Sequence, residues 1–260
     1  MRKKIYFNKI DKISLKKFVS TDKKKILKSI LKGNIIVIRN AVNKKKILKI
    51  CEKIHRKKIP ISSSTKMLEG VKNIFYLAKP IEKDKSINKS KYVVSNRSWY
   101  FFPWNKDYSG LVKLVQPVFN KVVEINGYNP KKILKNTPKD GTIQRFHLMN
   151  YPIGNGYISK HIDPTNIVKV TAGIYITEYK KNYETGGFYV INSKRKKVKI
   201  DKYIKSSDMV LFYASLPHGV DKITKPLIKP KKKHEEGRWF LNMTLVASHH
   251  IKNRITSYGL

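Results

Sequence analysis

Acidic residues are scarce in this chain of 260 residues, 17 against 57 Lys and Arg, leaving a formal net charge of +40. There is one cysteine, Cys51. It excludes an internal disulfide framework, and its place in the apolar stripe of KKKILKICEKIH suits a small buried hydrophobe better than a reactive thiol. Long apolar runs are missing as well. None approaches a membrane span, and the opening MRKKIYFNKIDKIS is basic but lacks the apolar stretch of a signal peptide, so we expect a cytoplasmic protein without membrane partners.

The charge raises nucleic acid as a partner. Only eight of the basic residues are arginine, however, and the lysines are spread among Ile and Asn over the whole chain. Runs such as Lys23 to Lys25, Lys44 to Lys46 and Lys231 to Lys233 alternate with apolar residues, as solvated helix faces and loops do. A compositional bias accounts for them better than a nucleic-acid patch, and an anionic small molecule also suits the charge. The sequence does not speak to oligomeric state.

At this length a single domain over residues 1–260 is expected. Residues 1–140 read as a mostly helical support. Helices are expected over Thr21 to Leu31, over Lys44 to Arg56 behind Asn43 as N-cap, and over Gly110 to Glu124 with a bend at Pro117. Asn34 to Arg39 reads as a strand, and Ile59 to Lys91 as loop. The aromatic segment Asn96 to Trp104 reads as a hydrophobic lid or core patch before a substrate cage.

From Thr142 the texture changes to short β-branched runs between turn signals. Eight strands are expected: Ile143 to Tyr151, Tyr157 to Ile162, Val168 to Thr177, Gly187 to Ile191, Lys197 to Ile200, Met209 to Tyr213, Gly219 to Ile223 and Arg238 to Ala247. Eight is the number of a jelly roll. The fold class is therefore mainly β, a cupin-like double-stranded β-helix over residues 142–248.

Within it, His161 and Asp163 are two apart, so on a strand both can point at one ion. His218, after Pro217 at the start of a strand, can complete the set. Two imidazoles and a carboxylate form a facial triad that leaves positions open for substrate and dioxygen, and by ligand type they suit Fe(II), Mn(II) or Zn(II). Histidines 147, 234, 249 and 250 lack comparable spacing.

An H-x-D alone carries little weight, but it has company. His161-x-Asp163, Gly186-Gly187-Phe188, Asp208-Met-Val-Leu-Phe212, His218 and Gly237-Arg238-Trp239 follow one another in the order of the Fe(II)/2-oxoglutarate dioxygenases of the prolyl-hydroxylase and phytanoyl-CoA-hydroxylase type, which the chain resembles over roughly residues 142–248. Asn150-Tyr-Pro-Ile-Gly154 looks like that family's strand before H-x-D, and Gly33 to Asn40 like its N-terminal opening.

The resemblance implies Fe(II) held by His161, Asp163 and His218, with 2-oxoglutarate and dioxygen as cosubstrates. It implies that Arg238 grips the distal carboxylate, for which a planar fork is the right shape. Tyr151 or Tyr157 is placed to bond the cosubstrate. Asn242, four positions after Arg238 on the same strand face, Arg145 and Trp99 are the candidate substrate contacts. The implied activity is hydroxylation of an unactivated C–H bond of a small molecule, such as an amino acid, natural product or sugar. Nucleic-acid dealkylation and a non-enzymatic metal-binding jelly roll are the alternatives. Two departures stand out. Arg238 follows His218 by twenty positions (218 to 238) across the loop Thr224 to Glu236, so Lys222 or Lys225 could serve as anchor instead, and Ser207 stands where the family often has glycine.

Overall fold

The structure, a computed structural model, describes residues 5–56, 75–77, 93–225, 236–253 and 258–259. Its elements run β1 (Ile10–Ser14), α1 (Leu15–Ser20), α2 (Lys23–Leu31), β2 (Ile35–Arg39), α3 (Lys44–Arg56), β3 (Phe75–Leu77), β4 (Val94–Ser95), β5 (Arg97–Phe101), α4 (Leu111–Ile125) and α5 (Pro130–Lys135). The β-rich half follows as β6 (Thr142–Tyr151), β7 (Tyr157–Ile162), β8 (Val170–Tyr175), β9 (Gly187–Ile191), β10 (Lys197–Lys199), β11 (Met209–Tyr213), β12 (His218–Asp221), β13 (Arg238–Ala247) and β14 (Tyr258–Gly259). Each of the eight strands expected from 142 onward is present.

These eight form a jelly roll. In the larger sheet β11, β8, β13 and β6 lie side by side, extended by β2 and β1 at one edge and by β5 and β3 at the other. The smaller sheet runs β10-β9-β12-β7-β14, with β4 also paired to β7. The period of two along each strand separates two layers. Phe146, Leu148, Ala172, Ile174, Leu241 and Met243 point outward and pack against Ile26, Ile30, Ile47, Cys51, Val115 and Phe119 of α2, α3 and α4. Full burial of one such large aliphatic side chain contributes about 1.5–3 kcal/mol relative to exposure. Met149, Tyr151 and Phe240 point the other way, into the space between the sheets, where Ile158, Val220 and Ile223 meet them.

Residues 1–140 carry the five helices α1 to α5 with strands among them. The buried run Ile35 to Ile38 is a strand of the larger sheet, antiparallel to β11 and parallel to β1. The aromatic segment is strand β5, paired along its whole length with β6. Its alternation sends Trp99 and Phe101 into the outer core, which agrees with the core-patch reading, and leaves Tyr100 on the inner face. Of the expected loop over 59–91, β3 is described and the rest lies outside the described residues. The helices expected around Ile26, Ile47 and Val115 are present, Asn43 caps α3 through its side chain to the Lys46 amide, and α4 runs through Pro117. Cys51 is buried, and burial pushes its thiol far up from its ordinary value. No described helix is long and apolar enough to cross a membrane.

One close approach shapes the interior. Phe240 lies over Gly173 of β8 so tightly that a Cβ there would sit 1.9 Å from the Phe240 ring. That ring is itself wedged beside Tyr175 and the Arg238 guanidinium. Gly173→Ala is expected to displace it and to lower stability by about 1–3 kcal/mol, read from urea unfolding.

Candidate metal centre

The smaller sheet brings the three sequence candidates together. His218, the first residue of β12, faces His161 of β7 across the strands, while the next pair in register is Val220 with Ile158. Between these pairs β7 carries two residues, Ser159 and Lys160, against Gly219 alone, so a β-bulge lies in β7. Strict alternation would place Ile158 and His161 on opposite faces. The bulge brings both inward, and it corrects one expectation: Tyr157, next to the inward Ile158, lies on the opposite face from the imidazole and does not belong to the interior.

Asp163 follows directly after β7, its backbone N–H donating to the Ala214 carbonyl at 2.9 Å. One carboxylate oxygen is 3.8 Å from His161 Nε2 and the other 3.8 Å from His218 Nε2. The three donor atoms all lie within 4.8 Å of one another. Both imidazoles are buried, with ring centroids 4.2 Å apart, and Phe188 and Phe212 stand against His218 at 5.7 and 5.0 Å.

The tautomers follow from the hydrogen bonds. His161 Nδ1 is 2.9 Å from the Ser159 carbonyl and His218 Nδ1 is 2.7 Å from the Leu216 carbonyl. A carbonyl only accepts, so each Nδ1 carries the proton and each Nε2 is directed at Asp163. Burial first, and the neighbouring His161 second, pushes the His218 pKa from its ordinary 6.5 down to about 4, against the opposing pull of Asp163. Two imidazoles held at Nδ1 by backbone carbonyls and a carboxylate with both oxygens turned toward them make a donor set that fits a divalent first-row metal such as Fe(II).

Arg238 opens β13 opposite Tyr151 of β6, on the inner face. It is 1% exposed, and its Nε donates to Asp201 Oδ2 at 2.8 Å while Nη2 donates to the Tyr175 hydroxyl at 2.8 Å. Tyr175 and Tyr183 each donate to Asp201 at 2.6 Å, and the Phe188 amide adds a fourth donor at 3.1 Å. Burial, and then the Asp201 charge, pushes both phenols well above their ordinary value, so both remain O–H donors. The Tyr151 ring lies under the guanidinium, 5.4 Å from it. Lys222 and Lys225, the alternative anchors, are exposed. Ser207 has φ +74, the left-handed conformation for which glycine is the usual residue.

The candidate substrate contacts divide. Arg145 and Asn242 share the inner face of the larger sheet with Arg238. Trp99 does not: it is 3% exposed in the outer core, stacked on Trp239 at 5.2 Å, and is corrected from substrate contact to packing residue. Sequence reasoning missed Asp201, Tyr175 and Tyr183. The available signal was an acid between the apolar Ile200 and Ile204 in a chain poor in acids, but nothing local says which cation it meets.

No protein-family model and no curated protein matches the chain. Among solved structures it is similar to the crystal structure of a prolyl-4-hydroxylase from Pseudomonas putida, with TM-score 0.52 and 11% identity, over 85% of this chain and 97% of that one. At that identity the likeness is one of fold.

Two outcomes are expected. In metal-free protein the depressed His218 pKa means that, as pH falls from 6.5 toward about 4, the unfolded chain takes up a proton the folded one refuses. Stability should therefore fall across that window, and the slope of unfolding free energy against pH should be shallower in His218→Gln. Asp201→Ala leaves a buried guanidinium without its carboxylate and should cost about 3–5 kcal/mol in urea unfolding.

Proposed function

We propose that this protein is an Fe(II)- and 2-oxoglutarate-dependent oxygenase that hydroxylates an unactivated C–H bond of a small molecule, with release of succinate and CO2. The observation that carries the reading is the convergence of His161, Asp163 and His218 inside a jelly roll, with both imidazole tautomers set for ligation. The fold likeness to a prolyl-4-hydroxylase points the same way.

In this reading His161, Asp163 and His218 hold Fe(II), which when bound supplies the activation of dioxygen. Asp163 takes a position a halide would need, which favours hydroxylation, or the related desaturation and ring closure, over halogenation. Arg238 binds the distal carboxylate of 2-oxoglutarate. Its described contacts use two of the five N–H donors a guanidinium carries. Asp201 and Tyr175 hold its plane still, so that little side-chain entropy is lost when a ligand carboxylate meets the remaining donors. Tyr151, beneath that plane, is the second residue placed at the cosubstrate, and Phe188, Phe212 and Phe240 keep water from the reacting centre. The buried Cys51 thiol supports a reducing, cytoplasmic setting.

Nucleic-acid dealkylation ranks below this reading. That branch of the family carries a second arginine six positions after the first, and here the place holds the buried Thr244. Against a non-enzymatic metal-binding jelly roll stands Arg238, a buried guanidinium that metal binding alone does not call for.

Purified protein supplied with Fe(II), 2-oxoglutarate and dioxygen is expected to form succinate, at a low uncoupled rate without primary substrate. His161→Ala should abolish it. Arg238→Gln, which keeps polarity and removes the fork, should raise the KM for 2-oxoglutarate by about tenfold or more, the equivalent of one charge-assisted hydrogen bond. Succinate formed equally by wild type and His161→Ala would sink the assignment.

A further inference from the structure

The inner face of β6 and β13 holds a polar cluster that neither the triad nor Arg238 uses. Arg145 has a buried Nε with no hydrogen-bond partner, and Asn242 has a buried Oδ1 in the same condition. Among the described residues no carboxylate pairs with Arg145, whose guanidinium stands 5.6 Å from the centre of the Tyr100 ring. Elsewhere inside this molecule a buried arginine is answered by an acid, as Arg238 is by Asp201. A donor and an acceptor buried together without partners are costly to the folded chain, and they are what a ligand with the complementary groups would satisfy.

Strand register places the cluster. Asn242 faces His147 and Thr244 faces Arg145, so Arg145 and Asn242 are diagonal neighbours on the inner face. Asn242 faces Gly173 on the other side, and Gly173 faces Val210; the next inward pair along those strands is Thr171 with Phe212. Arg145 and Thr244 therefore share a level with Phe212, whose ring is 5.0 Å from that of His218. The cluster thus lies on the inner face at the level of the Phe212 ring that stands against His218, whereas Arg238 lies toward the other end of β13. His147 forms one wall, its ring stacked on Tyr100 at 4.3 Å and its Nε2 bonded to the Ser98 hydroxyl at 2.8 Å.

We propose that Arg145 and Asn242 form the subsite for the primary substrate, and that this substrate carries a carboxylate next to an N–H or O–H donor. The guanidinium fork takes the carboxylate, and Asn242 Oδ1 accepts from the neighbouring donor. The stacked His147 and Tyr100 rings give the bound molecule a flat wall on one side. The inference rests on the oxygenase reading for what then happens to that molecule, but the binding itself does not depend on it.

The test uses the full chain labelled with nitrogen-15 in arginine, titrated with glycine, acetate and methylammonium as probes. The Arg145 Nε–H resonance, assigned from its loss in Arg145→Gln, should move and saturate with glycine and more weakly with acetate, and should not respond to methylammonium. Glycine binding should weaken about tenfold or more in Arg145→Gln and by less in Arg145→Lys, which keeps the charge but not the fork. Asn242→Ala should abolish the preference for glycine over acetate. A resonance unmoved by glycine and acetate, or glycine bound as tightly by Arg145→Gln as by wild type, overturns the proposal. Saturating 2-oxoglutarate is expected to leave the glycine affinity within about threefold; direct competition would make Arg145 a cosubstrate anchor and overturn the proposal too. Succinate formation by the same preparation is scored separately, so that its absence removes the oxygenase reading and leaves the carboxylate site standing.

Discussion

Two imidazoles held opposite one another across the β7–β12 pair are the constraint on which the interior depends. A strand presents every second residue to one face, so His161 reaches the interior alongside Ile158 only because β7 bulges at Ser159 and Lys160. Were the ladder regular, the inward position after Ile158 would fall to Lys160, which is exposed, and no imidazole would meet His218. The same one-residue excess puts Ser159 where its carbonyl accepts the His161 Nδ1 proton. One irregularity in pairing thus settles both which side chain enters and which of its nitrogens the backbone engages.

Around that pair the interior is divided by charge. At one end of β13 a buried arginine is matched to a buried acid, with two phenols and an amide completing the carboxylate's hydrogen bonds. Such an arrangement is rigid because its members hold one another in place, and removing any one leaves a desolvated group behind. Further along the same sheet face, Arg145 has no such match among the described residues. In a chain with so few acids, where the carboxylates sit is informative. Asp163 and Asp201 are spent inside the jelly roll, Asp208 ties the turn before β11 to Arg39 and the Asn40 amide, and Glu178 holds Lys44 and Lys181. The excess lysine is left to solvent, consistent with a compositional origin for the net charge.

Most of the eight strands of the jelly roll were legible because they are short apolar-rich runs between Gly, Pro, Asn or Asp turns, and turn chemistry acts locally. The H-x-D spacing and the histidine after Pro217 were legible for the same reason. The N-terminal half was read less well. Ile10 to Ser14 has no apolar pattern of its own and becomes a strand by pairing with the buried β2, and Arg97 to Phe101 joins the sheet because β6 offers it an unpaired edge. Such strands are made by their neighbours.

The amino-acid sequence by itself therefore determined the class of fold, the strand limits to within about two residues and the identity of the three candidate ligands, all of which follow from interactions among residues close in the chain. Only the tertiary structure decided that Tyr157 faces away from the metal centre, that Trp99 packs in the outer core, that Asp201 is the partner of Arg238, and that Arg145 has none among the described residues. These depend on register, on a bulge and on which buried charges come within hydrogen-bond reach. Those are properties of strands far apart in sequence, and local propensity carries no record of them.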